Sequence, residues 1–185
     1  MRLFKVLLFQ LMTSLLLGCT ATPYDKATVY YDRSTFGSQI VNDLPQVNAP
    51  LLQHGRCSVL VATPGSNVGE HYLCTYALTA DELYVQGWNA GELKYEKIMA
   101  IRLSALRKIS LYSSWRNSQL HLTEERRQVA FSVVIDEGGQ IDAAATARLF
   151  DFIREKGIPV VENVGPMKAA RTAAAAFVVP IVVPR

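Results

Sequence analysis

Several things are scarce in this sequence, and each scarcity excludes a class of protein. Three cysteines in 185 residues are too few for a disulfide scaffold. Charge of one sign is scarce too. The formal net charge is +3, and losing Arg2 and Lys5 with a cleaved leader lowers it by two, far from the surplus of a nucleic-acid binder. No apolar run reaches the roughly 18–20 residues that span a bilayer as a helix. No internal repeat is present. Catalytic signatures are missing as well: the chain has no Gly-x-Ser-x-Gly elbow, P-loop, Gly-x-Gly-x-x-Gly or His-Glu-x-x-His. Asp81-Glu82 and Glu124-Glu125 are adjacent pairs in expected turns, which reads as solvated surface. No enzyme, cofactor or nucleic-acid partner is expected. What the chain does have is 50% hydrophobic residues, enough for one packed domain with appendages.

The N-terminus carries an address. Arg2 and Lys5 precede a mostly apolar core from Val6 to Leu17, the form of a secretory signal rather than a membrane span. Leu16-Leu17-Gly18-Cys19 resembles the lipobox of bacterial lipoproteins. The resemblance implies cleavage before Cys19 and attachment of diacylglycerol to its thiol, usually with acylation of the new amine. Two or three acyl chains hold firmly where one holds marginally. In didermic bacteria a residue other than aspartate after the cysteine directs the product to the outer membrane, and here that residue is Thr20. The expected location is therefore the periplasmic face of the outer membrane, anchored by lipid.

Residues 1–18 are thus expected as signal peptide and 19–55 as a lipidated tether, polar and broken by Pro23, Pro45 and Pro50. Within the tether, Ala27 to Tyr31 could form a short strand that packs on the domain. From Arg56 onward the pattern is of strands: Cys57–Ala62, Tyr72–Leu78, Leu83–Trp88, Leu93–Tyr95 with Ile98–Ile101, Leu106–Tyr112, Leu120–Leu122 and Val129–Ile135. Pro64-Gly65-Ser66-Asn67 and Asn89-Ala90-Gly91 supply turns between them. One helix is expected from Ile141 or Asp142 to Lys156, with Ile141, Ala145, Leu149, Phe152 and Ile153 on one face. Gly157 and Pro159 end it.

Strands followed by one amphipathic C-terminal helix resemble a pleckstrin-homology-like (PH-like) or GRAM-like domain. The resemblance is carried by Tyr76–Val85, Ile98, Ile101, Leu103, Phe131–Ile135 and the helix to Ile153. It implies an α+β fold over residues 56–158: a bent antiparallel sheet or partly open barrel capped by the helix, used to bind proteins or lipid headgroups. The first hairpin lacks the basic array of headgroup-binding members. Residues 159–185 form an apolar tail, without charge from Thr172 to Pro184, which could pack on the domain, touch the membrane or pair with a partner's sheet edge.

Few residues carry chemistry. Folding the first hairpin about Gly65–Ser66 places Cys57 opposite Cys74, so a cross-strand disulfide is possible. Free buried thiols are a second reading. A third is zinc held by His54, Cys57, His71 and Cys74, two His-x-x-Cys pairs, although His71 and Cys74 sit in a strand where i and i+3 point to opposite faces. His121, between Leu120 and Leu122, alternates away from them and is expected on an exposed face. Arg102, Arg107, Lys108, Arg116, Arg126 and Arg127, with Trp115 nearby, give a candidate contact surface for a partner or an anionic ligand, offset by Glu124 and Glu125. Trp88 and Trp115 are each candidate core residues.

The leading expectation is a membrane-anchored, non-catalytic envelope lipoprotein serving as a protein-interaction module. Its rival is a carrier or sensor of a small apolar or anionic ligand. A third reading is a structural subunit of an envelope assembly that engages through its C-terminal tail.

Overall fold

A computed structural model of the chain describes residues 29–115, 117–136, 139–163 and 165–170. The signal peptide, Cys19, Arg116 and the tail beyond residue 170 lie outside the described residues. Seven strands form one antiparallel sheet: β1 (Gln53–Ala62), β2 (Val68–Leu78), β3 (Glu82–Asn89), β4 (Lys94–Arg102), β5 (Lys108–Ser114), β6 (Asn117–Thr123) and β7 (Gln128–Val134). Their spatial order is β4-β3-β2-β1-β7-β6-β5. Among the described residues two α-helices accompany them, α1 (Phe36–Asp43) and α2 (Ala143–Arg154), and a two-residue strand β8 (Lys168–Ala169) lies off the main path. This is the PH-like α+β arrangement implied by the strand-then-helix order of the sequence. The chain divides into two compact units.

The first unit contains the described residues up to Arg56 together with Leu73–Ala100 and Val134–Gln140. Register here is set between β2 and β3, with Thr75 opposite Gln86 and Leu78 opposite Leu83. Residues 29–55, expected as tether, depart from that expectation. Phe36, Ile40 and Val47 are fully buried in one cluster with Ala77, Tyr84 and Tyr95. The physical reason is the i, i+4 spacing of Phe36 and Ile40, which puts both on the same side of the short helix α1. Polar bonds fix the segment further. Asp43 accepts a hydrogen bond from the Tyr95 backbone N–H at 2.8 Å, and the Tyr95 hydroxyl donates to the Tyr30 carbonyl at 3.0 Å. Tyr30 forms no strand; its ring packs 4.5 Å from that of Trp88. Burial holds the Tyr95 phenol well above its usual pKa and, with Asp136 adding to it, pushes Tyr31 up to about 12.

The second unit contains Cys57–Tyr72, Ile101–Val133 and the chain from Ile141. Thr63-Pro64-Gly65-Ser66 closes the β1–β2 turn, with the Ser66 N–H donating to the Thr63 carbonyl and Gly65 at φ 88°, a combination that suits proline second and glycine third. Helix α2 packs on β5 and β6. Asp142 caps it, accepting from the Ala145 N–H at 2.8 Å, and Gly157 ends it at φ 80°. Its buried residues are Ala145, Thr146, Leu149 and Ile153. Ile141 and Phe152, expected on that face, are only half-buried. Thr146 takes its place there because its hydroxyl is satisfied: it accepts from the Val133 N–H and donates to the Asp142 carbonyl. Residues 159–170 pack on this unit as a strap. The Ile109 N–H donates to the Pro159 carbonyl, the Val161 N–H to the Ile109 carbonyl, and β8 pairs in parallel with Val68 and Gly69 of β2.

Candidate functional site

The most structured polar region lies in the second unit beneath the strap. A pocket of about 180 Å³ opens between β5, β6, β7, the Gly65–Asn67 turn and strap residues Val161–Asn163, Gly165 and Met167. Its polar groups are Lys108 and Ser110 from β5, His121 and Thr123 from β6, Gln128 from β7, and Glu162 and Asn163 from the strap. Side-chain bonds organise these groups. Asn163 donates to the Ser110 hydroxyl at 2.9 Å and accepts from the Gly165 N–H at 2.7 Å. Gln119 of β6 holds Met167 at both backbone groups: its Nε2 donates to the Met167 carbonyl at 3.0 Å, and its Oε1 accepts from the Met167 N–H at 2.8 Å.

His121 joins the same network. An amide oxygen can only accept and an amide nitrogen can only donate. The 3.2 Å contact to Gln119 Oε1 therefore makes His121 Nε2 the donor, and the 3.4 Å contact from Gln128 Nε2 makes Nδ1 the acceptor. That assigns the neutral Nε2–H tautomer, and burial holds the ring's pKa below its usual value in the same sense. The expectation of an exposed His121 is thus corrected; the residue is 7% exposed. Six of the seven β6 residues are buried, so alternation along this strand does not separate a core face from a solvent face. With both ring nitrogens bonded to amides, His121 is held in place within the site.

The cysteines are settled by a disulfide joining Cys57 of β1 to Cys74 of β2. Sulfurs held in that bond are no thiolate ligands, and the two histidines go elsewhere, which removes the zinc reading. His54 stacks on Phe36 with ring centroids 5.0 Å apart and bonds the Tyr31 hydroxyl through Nδ1 at 3.0 Å. His71 bonds the Ser58 hydroxyl at 2.8 Å. Among the described residues no group of three or more His, Cys, Asp or Glu is placed to hold a metal. No described helix is long and apolar enough to cross a membrane.

The expected basic surface does not converge. Arg107 pairs with Glu125 at 2.8 Å, both exposed, and Arg127 pairs with Glu124. The two glutamates thus hold two of the cations in the 105–127 region, where Arg107, Arg126 and Arg127 border a shallow depression. Lys108 turns to the polar pocket instead. Trp115, at the far end of β5, stands about 23 Å from Lys108 at strand rise. It is 89% exposed, which corrects its reading as a core residue. Trp88 is half-buried among Tyr30 and Tyr95. Arg102 is exposed, and Arg116 lies outside the described residues.

The residues that sequence reasoning missed are Gln119, Gln128, Asn163 and Met167. Their roles depend on the strap returning over the sheet, and no local spacing encodes that return.

No family model matches the chain, and no curated protein matches it. Among solved structures it is similar to Vav1 in a structure described as inhibited by an allosteric inhibitor, with a TM-score of 0.39 and 6% identity over 69% of this chain. The chain spans 29% of that one. It is also similar to the hSac2 domain from the human phosphoinositide phosphatase Sac2, with a TM-score of 0.38 and 15% identity, covering 77% of this chain and 96% of that one. At these values the likeness concerns the fold alone and says nothing of ligand or activity.

Proposed function

We propose that the chain is a non-catalytic envelope lipoprotein, anchored through Cys19 to the periplasmic face of the outer membrane, whose PH-like domain is a protein-interaction module. The observation that carries the reading is Trp115. A tryptophan 89% exposed beyond the end of β5 is the residue type that most often dominates a protein interface. The second unit supports the same reading, because Ile109, Leu120, Leu122, Phe131, Leu149 and Ile153 are fully buried and fill the layer between sheet and α2 with side chains. Lipid anchoring would confine the module beside other envelope components and raise its effective concentration for them.

The carrier reading attaches to the polar pocket beneath the strap. A pocket of about 180 Å³ is below the usual range for a small-molecule site, and Glu162 stands in its lining with Lys108, which leaves no net charge to hold an anion. The interaction module is therefore the better supported of the two.

The test is photo-crosslinking in the native host, with Trp115→p-benzoylphenylalanine in the full chain. The expected result is one discrete adduct identified as an envelope protein, together with a mature mass that includes diacylglycerol on Cys19. A mature chain weighing only its polypeptide, or no discrete adduct from position 115 and from neighbouring Ser114, overturns the proposal.

A further inference from the structure

We infer that His121 is a pH-sensitive latch in the second unit: in its neutral form it ties the Gly65–Asn67 turn to the strap, and on protonation it lets the turn go. The latch is independent of the interaction-module reading, so either can fail without the other.

Two main-chain groups fix the direction of a side-chain relay. At one end the Met167 backbone sets the Gln119 amide, because its N–H can only donate to Oε1 and its carbonyl can only accept from Nε2. The same Oε1 meets His121, whose Nε2 therefore has to donate. At the other end the Gly65 N–H donates to Gln128 Oε1 at 3.3 Å. That leaves Gln128 Nε2 for His121 Nδ1, which has to accept. The relay from Gly65 to Met167 is complete for one species of the ring, neutral with its proton on Nε2.

Protonation puts a second donor on the ring. Nδ1–H then faces Gln128 Nε2, donor against donor. Turning the Gln128 amide over cures that clash, since Oε1 can accept from Nδ1–H. It also presents Nε2 to the Gly65 N–H and breaks that bond instead. One bond on the turn side is lost either way, while the Gln119 side is kept because Nε2–H donates in both forms. The strap feels the loss through Asn67 of the same turn, whose carbonyl accepts the Lys168 N–H at 2.8 Å.

The surrounding charges leave this sense unchanged. Lys108 of β5 and Glu162 of the strap line the same pocket, both exposed and opposite in sign. Arg127 and Glu124, at the β6–β7 turn, pair with each other. Neither β7 nor the Gly65–Asn67 turn adds a charged residue to the lining. Burial holds the ring's pKa below its usual value, so the latch is closed at neutral pH and opens as pH falls below about 6.5 toward the folded value.

The test is NMR of the mature full chain between pH 7 and pH 5, with amide exchange corrected for intrinsic rates. At pH 7 the His121 ring is expected to show the Nε2–H tautomer. As the ring titrates, the amides of Gly65 and Lys168 are expected to lose about fivefold in protection, the worth of one net hydrogen bond, while that of Leu122 in the same unit keeps its own. Gln128→Glu separates the latch from general loosening in acid. A carboxylate accepts from the Gly65 N–H and from Nδ1–H together, so this variant should titrate His121 at higher pH than wild type and keep Gly65 and Lys168 protected. The Nδ1–H tautomer at pH 7 overturns the proposal. So does protection of Gly65 and Lys168 that ignores the His121 titration in wild type, or that falls equally in wild type and Gln128→Glu.

Discussion

Residues 29–52 and residues 159–170 both lie against strands of the sheet, yet they are fastened by different physics. The N-terminal segment sinks Phe36, Ile40 and Val47 to full burial and adds hydrogen bonds at Asp43 and Tyr95. The C-terminal strap sinks Met167 alone and relies on backbone bonds at Pro159, Val161, Met167, Lys168 and Ala170, with one side-chain bond from Asn163 to Ser110. Apolar burial contributes roughly 1.5–3 kcal/mol per large side chain, and a net hydrogen bond about 1 kcal/mol. Three apolar anchors therefore make the first segment part of the core. One anchor with exchangeable main-chain bonds leaves the second able to detach while the rest stays folded.

The largest effect is expected at the core side of this comparison. Phe36→Ala removes a fully buried ring and should cost about 3–5 kcal/mol in denaturant unfolding. A loss below 1 kcal/mol would show residues 29–52 to be a spacer after all. Replacing Cys57 and Cys74 together by alanine opens the link between β1 and β2, with an expected loss of about 3 kcal/mol. Reducing agent should have no effect on that double variant and should lower the melting temperature of wild type. Gln86 gives a change of opposite sign. It is fully buried in β3, and neither polar atom of its side-chain amide has a hydrogen-bond partner among the described residues. Gln86→Met is expected to stabilise by about 1 kcal/mol, and destabilisation would show the amide to be engaged.

A smaller effect separates the regions by pH. His54, His71 and His121 all have pKa values lowered chiefly by burial. Each therefore contributes stability that is complete above the unfolded value near 6.5 and is lost as pH falls below it toward the folded value. The melting temperature should drop between pH 7 and pH 5. His121→Gln should flatten part of that drop and leave the parts due to His54 and His71. Unchanged slope would show that His121 titrates alike in both states.

How far the sequence could be read follows the same division. Local signals gave the strands, the helix from about Asp142, the Gly157 stop and the facing cysteines, because alternation, helical spacing and turn chemistry act over a few residues. Helix α1 was hidden. It has eight residues, two buried apolar positions, no side-chain cap and Pro45 just beyond it, so it reads as linker until Tyr84 and Tyr95 are brought to it. His121 was misread because alternation presumes one wet face, and β6 has none to speak of. The Gln119–Met167 clamp joins residues 48 apart and leaves no periodic trace. Trp115 reads both as a contact residue and as a core residue, because a hairpin end and a core position look alike when the register is unknown.

The most direct test of the contrast is native-state hydrogen exchange followed residue by residue on the mature full chain. The account predicts that the amides of Val161, Met167, Lys168 and Ala170 exchange through a local opening insensitive to low denaturant, while those of Gln39 and Leu44 exchange only with global unfolding. Equal opening energies at both sets, tracking global stability together, would contradict it.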